Sequence, residues 1–333
     1  MSLSSRQQRD AIARLRLRNI LLQHTIATSR TLEQKISDAG PFDQRIDPHV
    51  LTRVRNGLVQ KGEVTIVKLV GTDWYHLPSA EAGILERRLT EQAATVTELR
   101  KSAFNQRMGQ TLEIATYKAL LASGGKFFGR FKDLEAHGDD RLYSKEEPPQ
   151  HLGSRELDGE RRLDFLLSAA NDWLGLECKN IREWLYPDRA EVREMIAKCL
   201  ELDCVPVIIA RRIPYVTFHL FRACGVIVHQ TYNQLFPSSD EALADRARHK
   251  RNLGYHDIRV GNLPDARLLK FIGKNLPAIA EGVRWRFNEY KDLLAGFVSR
   301  ELEYREFAAR VRRRESGSNE DHDWDDSGDP ADW

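Results

Sequence analysis

Two short apolar runs, residues 161–167 and 173–179, flank the turn-forming stretch Ser168-Ala169-Ala170-Asn171-Asp172 and predict an antiparallel β-hairpin. The pairing fixes which side chains meet. Folded about Ala170/Asn171, the hairpin sets Asp164 opposite Glu177, and directly opposed residues project from the same face. Side chains alternate along a strand, so Glu177 and Lys179 share that face, while Cys178 turns to the core and leaves its carbonyl oxygen beside the acids.

Two carboxylates, a carbonyl and an ammonium on one patch suit phosphodiester hydrolysis. Hard oxygen donors are what Mg2+ prefers, with Mn2+ as a substitute, and such an ion keeps waters that a substrate phosphate displaces. The ion lowers the pKa of a bound water and neutralises charge on the attacked phosphate. Asp164, Glu177 and the Cys178 carbonyl are the expected metal ligands. Lys179 either orients or deprotonates the water or acts as a fixed cation, and the sequence leaves these roles open.

With Asp164, twelve intervening residues and then Glu177-Cys178-Lys179, the chain resembles the PD-(D/E)xK nuclease superfamily. Its core is a helix, a β-hairpin with Asp and Glu-x-Lys, a second helix and a further strand. The order recurs here: a helical pattern at 106–122, the hairpin, a helical pattern at 188–203, and an apolar strand at 207–210 with Pro206 at its start. The resemblance covers roughly residues 104–213, and Leu163 stands where the family usually has Pro. It implies a metal-edge role for Glu113 on the first helix. Arg193 and Lys198 on the second helix are read either as phosphate contacts or as an exposed face.

Residues 1–80 read as a separate module. A helix over residues 6–25 carries an apolar stripe through Ile12, Leu15, Ile20 and Leu22, and a short helix spans 31–37. Asp47 as N-cap and Pro48 at the first turn start a third helix reaching about Gln60. Strands at 63–70 and 74–77, joined at Gly71-Thr72-Asp73, make a hairpin. Three helices and a hairpin resemble a winged helix-turn-helix, whose third helix enters the major groove. With Val50, Leu51, Val54 and Leu58 as its core stripe, Thr52, Arg53, Arg55 and Asn56 are left for DNA. A winged helix before a nuclease core is similar in domain order to Mrr-like restriction enzymes.

The near-neutral net charge of +2 hides an asymmetry. Residues 315–333 hold eight acids and no Lys or Arg, so the body keeps 51 basic against 41 acidic residues and carries +10. A basic body suits a polyanion. The polar start and the absence of a long apolar run predict a cytoplasmic chain with no membrane partner, and the four cysteines, set among apolar residues, read as buried thiols. Residues 277–314 predict one long helix or two, with Val283, Phe287, Tyr290, Leu294 and Phe297 as a stripe for the chain's own core or for a homodimer seam.

The expected fold class is therefore α/β, a PD-(D/E)xK restriction endonuclease-like core with an N-terminal winged helix-turn-helix and a C-terminal helical region. The expected divisions are a winged helix at 1–80, a helical connector at 81–103, the nuclease core at 104–225, helices at 226–314 and a disordered acidic tail at 315–333, the last a site for a protein partner. The expected function is a Mg2+-dependent endodeoxyribonuclease with DNA as partner, of restriction or antiviral defence type. The alternative is a DNA-binding regulator or assembly subunit on an inactive nuclease fold.

Overall fold

The computed structural model describes residues 5–38, 46–169 and 172–317. The turn midpoint Ala170/Asn171 and tail residues 318–333 lie outside the described residues. The chain divides into two units, Met1–Gln106 with Asp240–Val260, and Arg107–Ser239 with Gly261–Trp333. N-terminal helices with a small three-stranded sheet belong to the first, a mixed five-stranded sheet and a C-terminal helical region to the second. Among the described residues no helix is long and apolar enough to cross a membrane.

In the first unit, α1 (Ser5–His24) leads into β1 (Ile26–Thr28) and α2 (Ser29–Ile36), whose start is capped by the Thr28 hydroxyl accepting from Thr31 N–H at 3.1 Å. Next come α3 (Pro48–Gln60), β2 (Thr65–Leu69), β3 (Thr72–His76) and α4 (Ala82–Leu99). Strand order is β1-β3-β2, all antiparallel. Two expectations are corrected. Val70 and Gly71, both left-handed at φ 53° and 58°, form a two-residue turn in place of Gly71-Thr72-Asp73, because that conformation matches the strand twist. The buried face of α1 is Ala13, Leu17 and Leu21, while Ile12, Leu15 and Leu22 are exposed. This helix is apolar on two sides at helical spacing, and α3 covers only one of them. The helix Glu241–Arg248, expected with the C-terminal region, falls in the first unit, where it packs on α4 through Leu243, Ala244 and Ala247.

The second unit begins at Arg107 within α5 (Ser102–Ser123), which precedes β4 (Lys126–Phe128) and two short ladders, β5 (Arg130–Phe131) with β6 (Lys145–Glu146) and β7 (His151–Leu152) with β8 (Arg155–Glu156). Then follow β9 (Phe165–Ala169), β10 (Asp172–Lys179), α6 (Ala190–Leu202), β11 (Val205–Ala210), α7 (Tyr215–Ala223) and β12 (Ile227–Gln230). The sheet order is β12-β11-β10-β9-β4, antiparallel at β4, β9 and β10 and parallel from β10 through β12. Buried on both faces, β10 and β11 read as continuous apolar runs, as parallel strands under helices must. Gly175 on β10 is required: a Cβ there would lie 2.7 Å from Cys199 Sγ and 2.8 Å from Cys204 Sγ. All four cysteines are free and buried.

The C-terminal region is three helices, Leu276–Glu289, Lys291–Ser299 and Tyr304–Glu315, where one or two were expected. The second ends at Arg300, left-handed at φ 66°. Val283, Phe287, Tyr290, Leu294 and Phe297 are all buried in this unit's own core, so that stripe offers no seam to a second copy.

Candidate active site

The hairpin pairs Asp172 with Ala169 and Leu176 with Phe165, and the regular pairing ends there, so Asp164, a bend residue one step before β9, is brought to Glu177 by its own contacts and not by the continued ladder that was expected. Asp164 sits just before β9. Its backbone N–H donates to Leu176 O at 3.1 Å, and its Oδ2 accepts from Cys178 N–H at 2.6 Å. In an antiparallel ladder the N–H and C=O of one residue leave the strand on the same flank, so the Cys178 carbonyl opens toward Asp164. The Cys178 side chain turns the other way, its thiol donating to Thr116 Oγ1 on α5 at 3.3 Å, and burial pushes that thiol well up. Gly129 permits this arrangement. Its φ is +97°, and a Cβ there would lie 2.7 Å from Asp164 O and 2.9 Å from Phe165 Cδ1.

Glu177 is 2% exposed, and both its oxygens are engaged by lysines. Oε2 accepts from Lys179 Nζ at 2.7 Å; Oε1 accepts from Lys198 on α6, which also donates to Arg162 O at 2.7 Å. Glu113 on α5 pairs with Lys145 on β6 at 2.6 Å, and the Lys145 ammonium lies 4.8 Å over the Phe165 ring. Three acids therefore face three ammonium groups. The match is incomplete at Asp164, which keeps some exposed surface although protein crowds its carboxyl: burial first, then the charges of Glu177 and Glu113, hold it well above the usual carboxylate range against the pull of Lys145 and Lys179. Burial disfavours the charge of Lys179, yet Glu177 and Asp164 outweigh it and leave that ammonium above its ordinary value. Lys145 is raised by the same balance, burial against Glu113 and Asp164. Both stay cationic at neutral pH.

Asn180 closes the end of the site strand. Its amide nitrogen donates to Met108 O and Leu235 O, both at 2.6 Å, and its oxygen accepts from Leu235 N–H at 3.0 Å. Two residues further along α5, Gln110 exchanges two hydrogen bonds with the Tyr143 backbone, at 2.8 and 2.7 Å, which sets the chain two residues before Lys145. Glu113 and Lys145 are thereby carried to the hairpin by α5.

The sequence reading missed Lys145 and Gly129, and it placed Asn180 in the site run without giving it a role. Lys198 was placed on an open phosphate-contacting or solvated face, and the structure corrects this: it is buried beneath Glu177. The helical stripe Val192, Met195, Ile196, Cys199, Leu202 runs through its position and was the available signal. Arg193 instead packs over Phe297 at 4.0 Å from the ring centre.

On α3, Asn56 is exposed, Thr52 is partly buried, and Arg53 is 36% exposed and ion-paired with Asp10 at 2.7 Å. Arg55 was expected on the outer face and is in fact buried, its guanidinium 4.8 Å over the Tyr75 ring. The reason is spacing: Leu51, Val54, Arg55 and Leu58 form one i, i+3, i+4, i+7 face.

A hard divalent cation fits this donor set. The carboxylates of Asp164 and Glu177 and the Cys178 carbonyl would hold it, and Asp164 lies in a field more negative than its lysine neighbours cancel. Of the two lysines on Glu177, Lys179 is the one able to yield, with 25% of its side chain exposed against 7% for Lys198. Among the described residues no three His, Cys, Asp or Glu side chains converge as a ready metal site. No family model, curated protein or solved structure matches this chain.

Proposed function

We propose that the chain is a metal-dependent nuclease cutting DNA phosphodiester bonds, with a PD-(D/E)xK core in its second unit and a winged helix-turn-helix in its first. The observation that supports the reading is the gathering of charge at the end of the hairpin, where the Asp164 carboxylate accepts from Cys178 N–H and feels the neighbouring charges of Glu177, Glu113, Lys145 and Lys179. Mg2+ there would supply Lewis acidity and an acidified water. Lys179, held cationic, stabilises negative charge on the attacked phosphate, which favours the fixed-charge role over that of a base. Glu113 keeps Lys145 beside Asp164, and Lys198 fixes the orientation of Glu177. Supercoiled plasmid incubated with Mg2+ and with EDTA tests the reading. Nicked or linear product only with Mg2+ is expected; intact plasmid with both would overturn it.

A second reading, a DNA-binding regulator or assembly subunit on an inactive nuclease fold, draws on the two lysines that occupy both Glu177 oxygens. In either reading α3 holds DNA through Arg53 and Asn56. Replacing both with Ala should weaken duplex binding several-fold and lower the slope of log affinity against log salt by roughly one, since one phosphate-neutralising charge is lost. Binding titrations at several salt concentrations check this. Arg55→Ala is no substitute for that test, because Arg55 packs in the core.

A further inference from the structure

Beyond the C-terminal ends of the parallel strands lies a second group of residues that the hydrolytic site does not use. Lys179, Ala210 and Gln230 are in register across β10, β11 and β12. Past this line the pairing persists, Thr231 N–H donating to Ala210 O at 2.9 Å and Tyr232 N–H to Arg211 O at 3.1 Å. Tyr232 is left-handed, at φ 62°, a costly conformation for an aromatic residue and one that persists where surrounding structure imposes it. Two guanidinium groups meet its ring, Arg212 Cζ and Arg267 Cζ each 4.9 Å from the centroid. Arg267 comes from the short helix Ala266–Lys270, which the Asp265 carboxylate caps by accepting from Leu268 N–H at 2.8 Å. That helix runs directly into a π-helical turn, Phe271–Asn275, a rare element that concentrates at functional sites. The turn is pinned by Phe271 stacked on His229 of β12, 4.1 Å between ring centres. Tyr232 is 37% exposed and Arg267 is exposed, so these two open to solvent, while Arg212 is buried beneath the ring.

We propose that Arg212, Tyr232 and Arg267 form a clamp for the sugar-phosphate backbone of the nucleic-acid strand that passes through the Asp164–Glu177 site, a role that rests on the nuclease reading above. Guanidinium groups suit phosphate because their planar donors match its oxygens, and an aromatic face holds such a group in place while leaving its edge free to donate. Tyr232 is the positioning residue, and Arg267 makes the contact. The clamp stands two strands from Lys179, about 10 Å across the sheet. The crevice outside the carboxyl ends of parallel strands is also where open α/β sheets bind ligands.

The test is a titration of fluorescein-labelled duplex and single strand of one sequence, in EDTA and at several salt concentrations. Wild type is compared with Arg267→Glu, Tyr232→Gly and Lys126→Glu, the last a charge reversal on exposed β4 at the opposite edge of the sheet. Arg267→Glu should weaken binding about tenfold or more and lower the salt slope by one or more. Tyr232→Gly should weaken it several-fold while thermal stability holds or rises, because glycine adopts the left-handed backbone freely. Lys126→Glu should change affinity by less than about twofold. Wild-type affinity in both clamp variants, equal losses in Arg267→Glu and Lys126→Glu, or no binding by wild type would overturn the clamp. Loss in Arg267→Glu with wild-type binding in Tyr232→Gly would overturn the positioning role of the ring. The nuclease reading stands or falls separately, on plasmid cleavage with Mg2+.

Discussion

Glu177→Ala and Asp164→Asn are expected to shift stability in opposite directions, although the two acids lie close enough at one hairpin to feel each other's charge. Glu177 is buried with an ammonium on each oxygen. Without it Lys179 turns to solvent, but Lys198, 7% exposed, stays under the sheet with the Arg162 carbonyl at 2.7 Å and the exposed, more distant Glu194 carboxylate at 3.9 Å as its remaining partners. Stranding a buried charge costs roughly 3–5 kcal/mol, which for a chain of this size lowers Tm on the order of 10 °C. Asp164 is the reverse case. Its folded pKa lies above its unfolded value, so the stability tied to its protonated form is full below the ordinary carboxylate range and is lost as pH rises through the folded pKa. Asn removes that loss. In EDTA at pH 8, Asp164→Asn should melt above wild type and Glu177→Ala well below it, and the advantage of Asp164→Asn should shrink as the pH is lowered. Two variants melting together, or an Asp164→Asn protein less stable than wild type at pH 8, would show that the acids are not held as described.

This asymmetry was invisible in the sequence. Alternation along a strand and the midpoint of a turn were enough to pair Leu176 with Phe165, because a hairpin's register follows from local pattern, but not to show that the ladder stops before Asp164. Start signals for α3 were equally local, Asp47 and Pro48 giving its first residue. What could not be read were partners supplied from afar. Lys145 lies in a two-residue strand within an irregular stretch, and nothing near it in sequence foretells that β6 lies beside the hairpin. Lys198 and Arg55 were misjudged for a different reason: each is a long charged residue on the apolar face of its helix, and reading charge as exposure overrode the helical period. For α1, two apolar stripes at helical spacing competed, and only packing against α3 selected Ala13, Leu17 and Leu21. The C-terminal stripe was visible as a pattern, but its periodicity could not say whether the chain's own core or a second copy would cover it.

The largest effect on function is expected from the same two positions and from Lys179. Asp164→Ala should lower Mg2+-dependent cleavage by roughly 10^3-fold or more, the loss of several kcal/mol of charge stabilisation. Lys179→Ala should cost roughly 10^2- to 10^3-fold, as removal of a preorganised charge does. Lys179→Arg then separates two chemistries. A lysine held above its ordinary pKa by Glu177 and Asp164 is a poor base at neutral pH. If fixed charge is its contribution, Arg restores most of the rate; a rate as low as that of the Ala variant would restore the base. Acid pH supplies an independent readout. Because burial, Glu177 and Glu113 raise Asp164, cleavage should fail with a midpoint above about 4, the ordinary carboxylate value. Glu113→Gln removes one of those charges and releases Lys145 from its partner, and both changes favour ionised Asp164. Its acid limb should therefore move to lower pH in initial rates of plasmid nicking measured across the acid range. A limb that stays in place would mean that the failing group is not Asp164.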